Sequence, residues 1–252
     1  MINIYTQEQI ERLHQSGKIL SEVLKALKKE IKIGISLNYL DSIALKLIKS
    51  AGAKPAFLGY RPEGANYGYP ASICASLNQV VVHGVPSGYK LKSDDLLKID
   101  CGVNYKGYYS DSAFSIIVGS GNNDAKNLVK ATQKALEEAI KSAKPGNHIG
   151  DIGFTIEKTG KKFGVNVIQG LTGHGVGKDL HEEPTVYNYG NKGQGIELKP
   201  GMVFAIEPMF SIGSGEIKQL PDESWATIDN SLTAQFEHTI AITEKGVKIL
   251  TE

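Results

Sequence analysis

The sequence contains few cysteines and few arginines, and it has almost no net charge. Only Cys74 and Cys101 occur among its 252 residues, and they do not form a CxxC pair. Neither a disulfide framework nor a cysteine-based zinc site is therefore predicted. All but two of the 28 basic residues are lysines, which disfavours a site built on bidentate arginine clamps.

Two further absences restrict the class of protein. The net charge of +1 argues against a protein held on nucleic acid by phosphate contacts, so no sequence-specific nucleic-acid partner is expected. No apolar run approaches the roughly 18 residues that a membrane helix needs, and the first residues lack the apolar core of a signal peptide. We therefore expect a cytoplasmic protein that does not contact a membrane.

What the sequence does contain is typical of a globular protein. Hydrophobic residues make up 41% and charged residues 22% of the chain. No low-complexity segment and no linker divides it. We therefore expect one domain over residues 1–252. A monomer is also expected.

The hydrophobic pattern predicts helices and strands in two successive groups. Apolar residues from Ile10 to Ile31 recur at steps of three and four, and Thr6 and Gln9 form a capping box before them. Three more helices are predicted at about 37–51, 123–143 and 149–163, and strands at about 80–83, 95–102, 108–118, 202–210, 234–243 and 247–250. The groups divide near Pro145. This order predicts an α+β fold of two related halves with a deep site between them.

The first predicted helix carries a set of lysines outside its apolar stripe: Lys18, Lys25, Lys28, Lys29 and Lys32. A solvated face is the simpler interpretation of these lysines. The alternative is a docking surface for an anionic partner.

Two aspartates lie on either side of a predicted hairpin. With the loop centred between Tyr105 and Lys106, Asp100 and Asp111 lie directly opposite each other on neighbouring strands. Two carboxylates in one dry site repel each other, so a positive group is expected between them. If the register slips by one residue, both become solvated loop residues instead.

Histidines and two isolated glutamates complete the candidate site. Glycines bracket His174 and allow close approach, whereas a purely structural role is the alternative for both His174 and His181. Glu207 and Glu237 lie in apolar runs, where a lone ionised carboxylate is costly. The alternative for each glutamate is a salt bridge to a lysine from elsewhere, although neither run contains one.

Taken together, these residues indicate a metal centre. Four ionised carboxylates carry four negative charges, which two divalent cations neutralise and one does not. Carboxylates with one imidazole suit manganese, iron(II) or cobalt better than a structural zinc site. Two such metals activate a water and polarise a carbonyl, which is hydrolase chemistry.

Five segments carry a resemblance to a known family. These segments are SICASLNQVVVHGVP (72–86), LLKIDCGVNYKGYYSDSAFSIIVG (96–119), GLTGHGVGKDLHEEPTV (170–186), PGMVFAIEPMF (200–210) and LTAQFEHTIAIT (232–243). In these segments the chain resembles type I methionine aminopeptidase in its short bacterial form, without the N-terminal extension and the large insertion of type II. The resemblance implies the creatinase-like pita-bread fold, with two pseudo-symmetric halves and helices outside a curved antiparallel sheet.

The resemblance also implies roles for individual residues. Two divalent ions per chain (cobalt, manganese, iron(II) or zinc) and a bridging hydroxide would remove the initiator methionine from nascent proteins whose second residue is small. Asp111 and Glu237 would bridge both ions. The implied metal ligands are Asp100, Asp111, His174, Glu207 and Glu237. The implied catalytic residues are His83, His181 and Glu207, and the two histidines would also contact the substrate. The implied methionine pocket consists of Phe57, Tyr60, Tyr69, Cys74 and Trp225.

The sequence departs from the family pattern around this pocket. The segment RPEGANYG separates Tyr60 from Tyr69 and leaves open whether Tyr60, Tyr67 or Tyr69 lines the site. Leu171 and Leu180 stand where an aromatic residue is common. Since nascent chains emerge from the ribosome, a transient contact between the lysine-rich helix and the ribosome is a further expectation.

Two other functions stay open at this point. A proline-specific peptidase of the same fold would use the same five ligands. A non-catalytic binding protein on this fold would have lost its metal, but all five ligands and both histidines are present.

Overall fold

The computed structural model describes residues 2–252. Its helices are α1 (Gln7–Glu30), α2 (Leu37–Ser50), α3 (Asn123–Ser142) and α4 (Ile149–Phe163). Its strands are β1 (Lys54–Pro55), β2 (Cys74–Leu77), β3 (Val80–Val82), β4 (Leu96–Tyr105), β5 (Tyr108–Ile117), β6 (Asn166–Val167), β7 (Thr172–Gly175), β8 (Glu182–Tyr187), β9 (Val203–Ile206), β10 (Met209–Ser211), β11 (Ile217–Gln219), β12 (Trp225–Thr227), β13 (Thr233–Gln235), β14 (His238–Thr243) and β15 (Gly246–Ile249). No helix within these residues is both long and apolar enough to span a bilayer.

The predicted helices are confirmed to within one residue at most ends. The capping box at the start of α1 forms: Gln9 donates its backbone N–H to the Thr6 side chain, and Thr6 donates its own to the Gln9 side chain. The five lysines of this helix region are exposed, as expected for a solvated face. A left-handed Gly164 follows α4, where a side chain would be unfavourable.

Each pair of helices covers its own group of antiparallel strands. The apolar faces of α1 and α2 pack on β2 and β4 around Leu20, Leu40 and Ile99. The apolar faces of α3 and α4 pack on β9, β10 and β14 around Phe204 and Phe210. All recorded strand pairs are antiparallel, with the orders β1-β4-β2 (β5 pairing with β4), β13-β10-β6, β11-β12-β3 and β15-β14-β9-β7-β8. The predicted two-halved α+β arrangement, with helices on the outside, is confirmed.

The predicted register of the β4–β5 hairpin is wrong by two residues. The loop consists of Lys106 and Gly107, both with positive φ (53° and 79°), which is the two-residue turn that suits the twist of a hairpin. Asp100 therefore pairs with Ala113, and Gly102 pairs with Asp111. Because side chains alternate with a period of two, this shift keeps both aspartates on one face as diagonal neighbours. The expectation of a shared site survives the correction.

Two predicted strands are each divided in two by the structure. The run 202–210 forms β9 and β10, and the run 234–243 forms β13 and β14. At both breaks the chain leaves one sheet and joins another, since β9 pairs with β14 whereas β10 pairs with β13. Pro208 has no N–H for a ladder and lies at the first break. Glu207 and Glu237 therefore lie in the two breaks. The breaks are side by side, because His238 pairs with Ile206 and Gln235 pairs with Met209.

Candidate active site

Four carboxylates meet where the two halves of the molecule join. Asp100 and Asp111 come from the β4–β5 hairpin, and Glu207 and Glu237 come from the two strand breaks. The Glu237 N–H donates to Ala113 O at 2.9 Å, and the Asp111 N–H donates to Thr239 Oγ1 at 2.9 Å. These bonds tie the hairpin to the second half of the chain. Each of the four carboxylates is at most 9% exposed.

His174 lies beside these carboxylates in a fixed tautomer. Its Nδ1 is 2.9 Å from Gly175 O, and a carbonyl only accepts, so Nδ1 carries the proton. Burial lowers the pKa of His174 to about 4, so the ring is neutral and Nε2 has a free lone pair. This Nε2 lies 3.8 Å from Asp111 Oδ2 and 3.8 Å from Glu207 Oε1. The ring is thus oriented as a metal ligand would be.

The glycines around His174 allow the backbone of neighbouring strands to approach closely, as the sequence predicts. A side chain at Gly173 would meet the backbone carbonyl of Ala205, and one at Gly175 would meet the carbonyl of Glu183. This close approach involves the backbone of β8 and β9. These glycines allow β7 to lie between β8 and β9 and so hold the imidazole in the cleft.

Burial and mutual repulsion keep the carboxylates from ionising easily. Burial raises the pKa of Asp100 to about 7. Burial, and then the charges of neighbouring acids, raise the pKa values of Asp111, Glu207 and Glu237 well above their usual range. Within residues 2–252, neither a lysine nor an arginine forms an ion pair with these groups. The alternative of a lysine salt bridge is thereby excluded for the described chain.

Two of the carboxylates have an oxygen atom that is free to bind a metal ion. Buried oxygens Asp100 Oδ1 and Glu237 Oε1 have no hydrogen-bond partner. One ligand atom each from Asp111, His174 and Glu237 lies within 4.8 Å of the others. Oxygen donors with one imidazole nitrogen, in a buried site where no lysine or arginine pairs with the carboxylates, fit a divalent metal.

The site opens into a cleft of about 900 Å³ that both halves line. The expected substrate residues all lie on its walls: Phe57, Tyr60, Tyr69, Cys74, His83, His181 and Trp225. Cys74 pairs with Asp100 across β2 and β4, so the apolar wall begins beside the carboxylates. Leu180 packs in the same apolar cluster as Phe57 and Cys74. Leu180 thus forms part of the wall at a position where the family commonly has an aromatic residue.

The three tyrosines in question have distinct places. The Tyr60 hydroxyl is 2.6 Å from His181 Nδ1. The Tyr69 hydroxyl donates to Gly84 O and Ile73 O, which anchors its ring against Phe57. Tyr67 is exposed at the mouth, where Asn66 donates two hydrogen bonds to Glu223 Oε1. The inserted segment therefore forms one side of the entrance, and all three tyrosines line the cleft.

Sequence reasoning missed two polar residues near the carboxylates. The Gln235 Nε2 donates to Glu207 Oε2 at 3.2 Å, and its position two residues before Glu237 was the available signal. Lys98 is 1% exposed, and its ammonium donates to Asn78 O, Thr233 O and Thr233 Oγ1 at 2.7–3.1 Å. A lysine inside an apolar run, two residues before Asp100, was the signal there.

Comparison with known proteins identifies the family. Residues 11–244 match the sequence model of metallopeptidase family M24. The chain belongs to this family. It is 45% identical over 258 residues to the methionine aminopeptidase of Aquifex aeolicus, with 100% of this chain and 99% of that protein covered.

Solved structures agree with this assignment. A crystal structure of methionine aminopeptidase from Rickettsia prowazekii matches this M24 metallopeptidase with a TM-score of 0.96 and 36% identity, and 100% of each chain is covered. A prolidase from Pyrococcus furiosus matches with a TM-score of 0.77 and 26% identity, covering 99% of this chain and 65% of that one. The expected pita-bread fold is confirmed.

Proposed function

We propose that this M24 metallopeptidase removes the initiator methionine from peptides whose second residue is small. The similarity to methionine aminopeptidases over the whole chain supports this activity. One observation carries the proposal: four buried carboxylates share a cleft with a neutral imidazole, whose Nε2 lies 3.8 Å from both Asp111 and Glu207.

The proposed metal ligands are Asp100, Asp111, His174, Glu207 and Glu237, with Asp111 and Glu237 shared between two divalent ions. Two doubly charged ions balance four carboxylates, and the unpaired oxygens of Asp100 and Glu237 offer donors for them. Such ions would supply an acidified water as the nucleophile and would polarise the scissile carbonyl. Metal analysis of protein purified without added metal distinguishes cobalt, manganese, iron(II) and zinc.

The chain's own residues would orient the peptide and move protons. Glu207 would accept the proton of the attacking water and pass it to the leaving amine. The His181 N–H would stabilise the developing oxyanion, and His83 would hold the scissile nitrogen. We place the substrate's free amine at the Asp100 end of the cleft, which restricts cleavage to the first peptide bond.

The proposed methionine pocket is the apolar wall that begins beside Asp100. Its lining residues are Phe57, Tyr60, Tyr69, Cys74 and Trp225. All of them except Trp225 belong to one hydrophobic cluster. Aromatic rings and a thiol suit the polarizable thioether of methionine. The depth of this wall beside the carboxylates is what would select methionine as the first residue.

We further propose that the enzyme is a cytoplasmic monomer that meets nascent chains at the ribosome. The exposed lysines of the α1 region support a transient contact with this anionic particle. Replacing Lys18, Lys25, Lys28, Lys29 and Lys32 by glutamine should reduce co-sedimentation with ribosomes. Unchanged co-sedimentation would rule out this docking surface.

A peptide assay distinguishes the proposed activity from the alternatives. The manganese- or cobalt-loaded enzyme should release methionine from Met-Ala-Ser and leave Xaa-Pro dipeptides intact. The structural similarity to a prolidase favours proline-specific cleavage as the second candidate. Cleavage of Xaa-Pro alone would establish that second activity, and inactivity of metal-replete protein on both substrates would indicate a binding protein.

A further inference from the structure

A hydrogen bond between Tyr60 and His181 connects the start of the inserted segment to the cleft. The Tyr60 hydroxyl oxygen lies 2.6 Å from His181 Nδ1, although the residues are 121 positions apart. Their rings meet edge to face at a centroid distance of 5.1 Å. Among residues 2–252, Tyr60 makes the one recorded hydrogen bond to this imidazole.

The backbone around the insertion holds Tyr60 in this position. The Tyr60 N–H donates to Phe57 O, and the Tyr69 N–H donates to Tyr60 O, both at 2.8 Å. The Gly59 N–H donates to Tyr69 O at the same distance. A side chain at Gly68 would meet the backbone of Gly59 at about 2.9 Å, so a glycine is needed for this close pairing. The inserted loop therefore leaves from a rigid base that fixes Tyr60.

The direction of this hydrogen bond decides which nitrogen of His181 carries the proton. A free imidazole has a pKa of about 6.5 and a free tyrosine hydroxyl one of about 10, so both groups are taken as neutral at about pH 8. A neutral imidazole has one N–H and one acceptor nitrogen. In the proposed function His181 donates from Nε2, so its Nδ1 is the acceptor, and the Tyr60 hydroxyl lies within hydrogen-bond distance of it. Donation from Tyr60 to Nδ1 satisfies both groups.

We propose that Tyr60 is a positioning residue that holds His181 in the tautomer with its proton on Nε2. This inference rests on the proposed function, in which His181 donates to the oxyanion. An imidazole protonated on Nδ1 would present a lone pair to the oxyanion and repel it. Tyr60 thus has a second role besides lining the methionine pocket. It keeps the donor nitrogen free for the substrate.

Nuclear magnetic resonance of metal-free protein labelled with ¹⁵N-histidine tests this inference without any catalysis. The wild-type His181 signal, assigned by its loss in His181→Asn, should show a protonated Nε2 and an unprotonated, hydrogen-bonded Nδ1. Tyr60→Phe keeps the ring and should convert that signal to a mixture of tautomers. Tyr69→Phe, which removes a neighbouring hydroxyl that does not bond His181, should leave the signal in the wild-type pattern.

A kinetic measurement gives a second readout. Tyr60→Phe should lower kcat between about 10- and 100-fold with little change in KM, because the pocket wall keeps its ring. A wild-type signal with the proton on Nδ1, or a Tyr60→Phe spectrum identical to wild type, would overturn the inference. A Tyr60→Phe variant with a changed KM and an unchanged kcat would also overturn the inference. Loss of peptidase activity in the wild type would overturn the proposed function and leave the tautomer measurement valid.

Discussion

Without its metal, this enzyme should become less stable to unfolding as the pH rises from acid to neutral. In the metal-free fold, burial raises the pKa of Asp100 from 3.8 to about 7. A raised carboxyl pKa means that the folded state binds more protons than the unfolded state between these values. The resulting stabilisation is fully present below the unfolded pKa and is lost as the pH rises through the folded pKa.

The magnitude follows from the span between the two values. A difference of one pKa unit corresponds to about 1.4 kcal/mol. The ionisation of Asp100 alone would therefore lower the free energy of unfolding by about 4 kcal/mol between acid and neutral pH. The raised pKa values of Asp111, Glu207 and Glu237 act in the same direction. This loss is a large part of the roughly 5–15 kcal/mol that stabilises a typical protein.

Divalent metal should restore this stability, and most strongly at neutral pH. One ion at a hundred times its Kd stabilises the fold by about 2.7 kcal/mol, which raises the Tm of a chain of this length by about 5–11 °C. Protons compete with the metal for the same oxygens at low pH. Calorimetry of chelator-treated enzyme from about pH 5 to about pH 8, with and without Mn²⁺, measures both effects.

An isosteric variant provides the matched control. Asp100→Asn removes a buried charge, so the metal-free variant should lose less stability than wild type as the pH rises, while gaining less from Mn²⁺. A metal-free Tm that is flat or rising across this pH range would refute the reasoning. So would a Mn²⁺ shift that is equal at acid and neutral pH.

Four other predictions can be checked with single variants. Asp111→Asn should lower turnover of Met-Ala-Ser at least about 100-fold and reduce the metal content; full turnover would contradict its role as a shared ligand. His181→Ala should lower kcat between about 100- and 1,000-fold with a smaller change in KM, and a change confined to KM would argue against oxyanion stabilisation. Trp225→Ala should raise KM for methionyl peptides several-fold, whereas an unchanged KM would place Trp225 outside the pocket. Lys98→Met should destabilise the fold by about 1–3 kcal/mol in denaturant titration, because the Asn78 and Thr233 carbonyls lose their buried donor; unaltered stability would show that these oxygens find other partners.

The helices and the acids that meet in the cleft could be predicted from local signals. The capping box of Thr6 and Gln9 and the glycine after α4 are read within a few positions of sequence. Asp100, Glu207 and Glu237 are conspicuous because each interrupts or ends an apolar run, and Asp111 is conspicuous because it follows Asp100 on the other strand of one hairpin. All of them meet in the cleft together with His174.

The hairpin register is set by turn chemistry that the sequence contains. Lys106–Gly107 forms a turn with two positive φ angles, and Gly107 is the residue that tolerates it best. The side chain of Asn104 accepts the Gly107 N–H at 3.0 Å and supports the same turn. Centring the loop on these two residues gives the observed pairing.

The strand breaks and the partner of His181 could not be predicted from local sequence. Glu207 and Glu237 lie where two neighbouring segments change sheets together, which depends on contacts between distant parts of the chain. The contact between Tyr60 and His181 joins the edge of the insertion to a loop 121 positions away. Such pairings are set by tertiary packing and leave no periodic signal.

Anomalous diffraction from a crystal grown with Mn²⁺ tests the central claim most directly. Two strong peaks about 3.5–4 Å apart should appear, both touching Asp111 and Glu237, with His174 Nε2 bound to one of them. A cluster without anomalous density, with the four carboxylates turned toward solvent, would contradict the account.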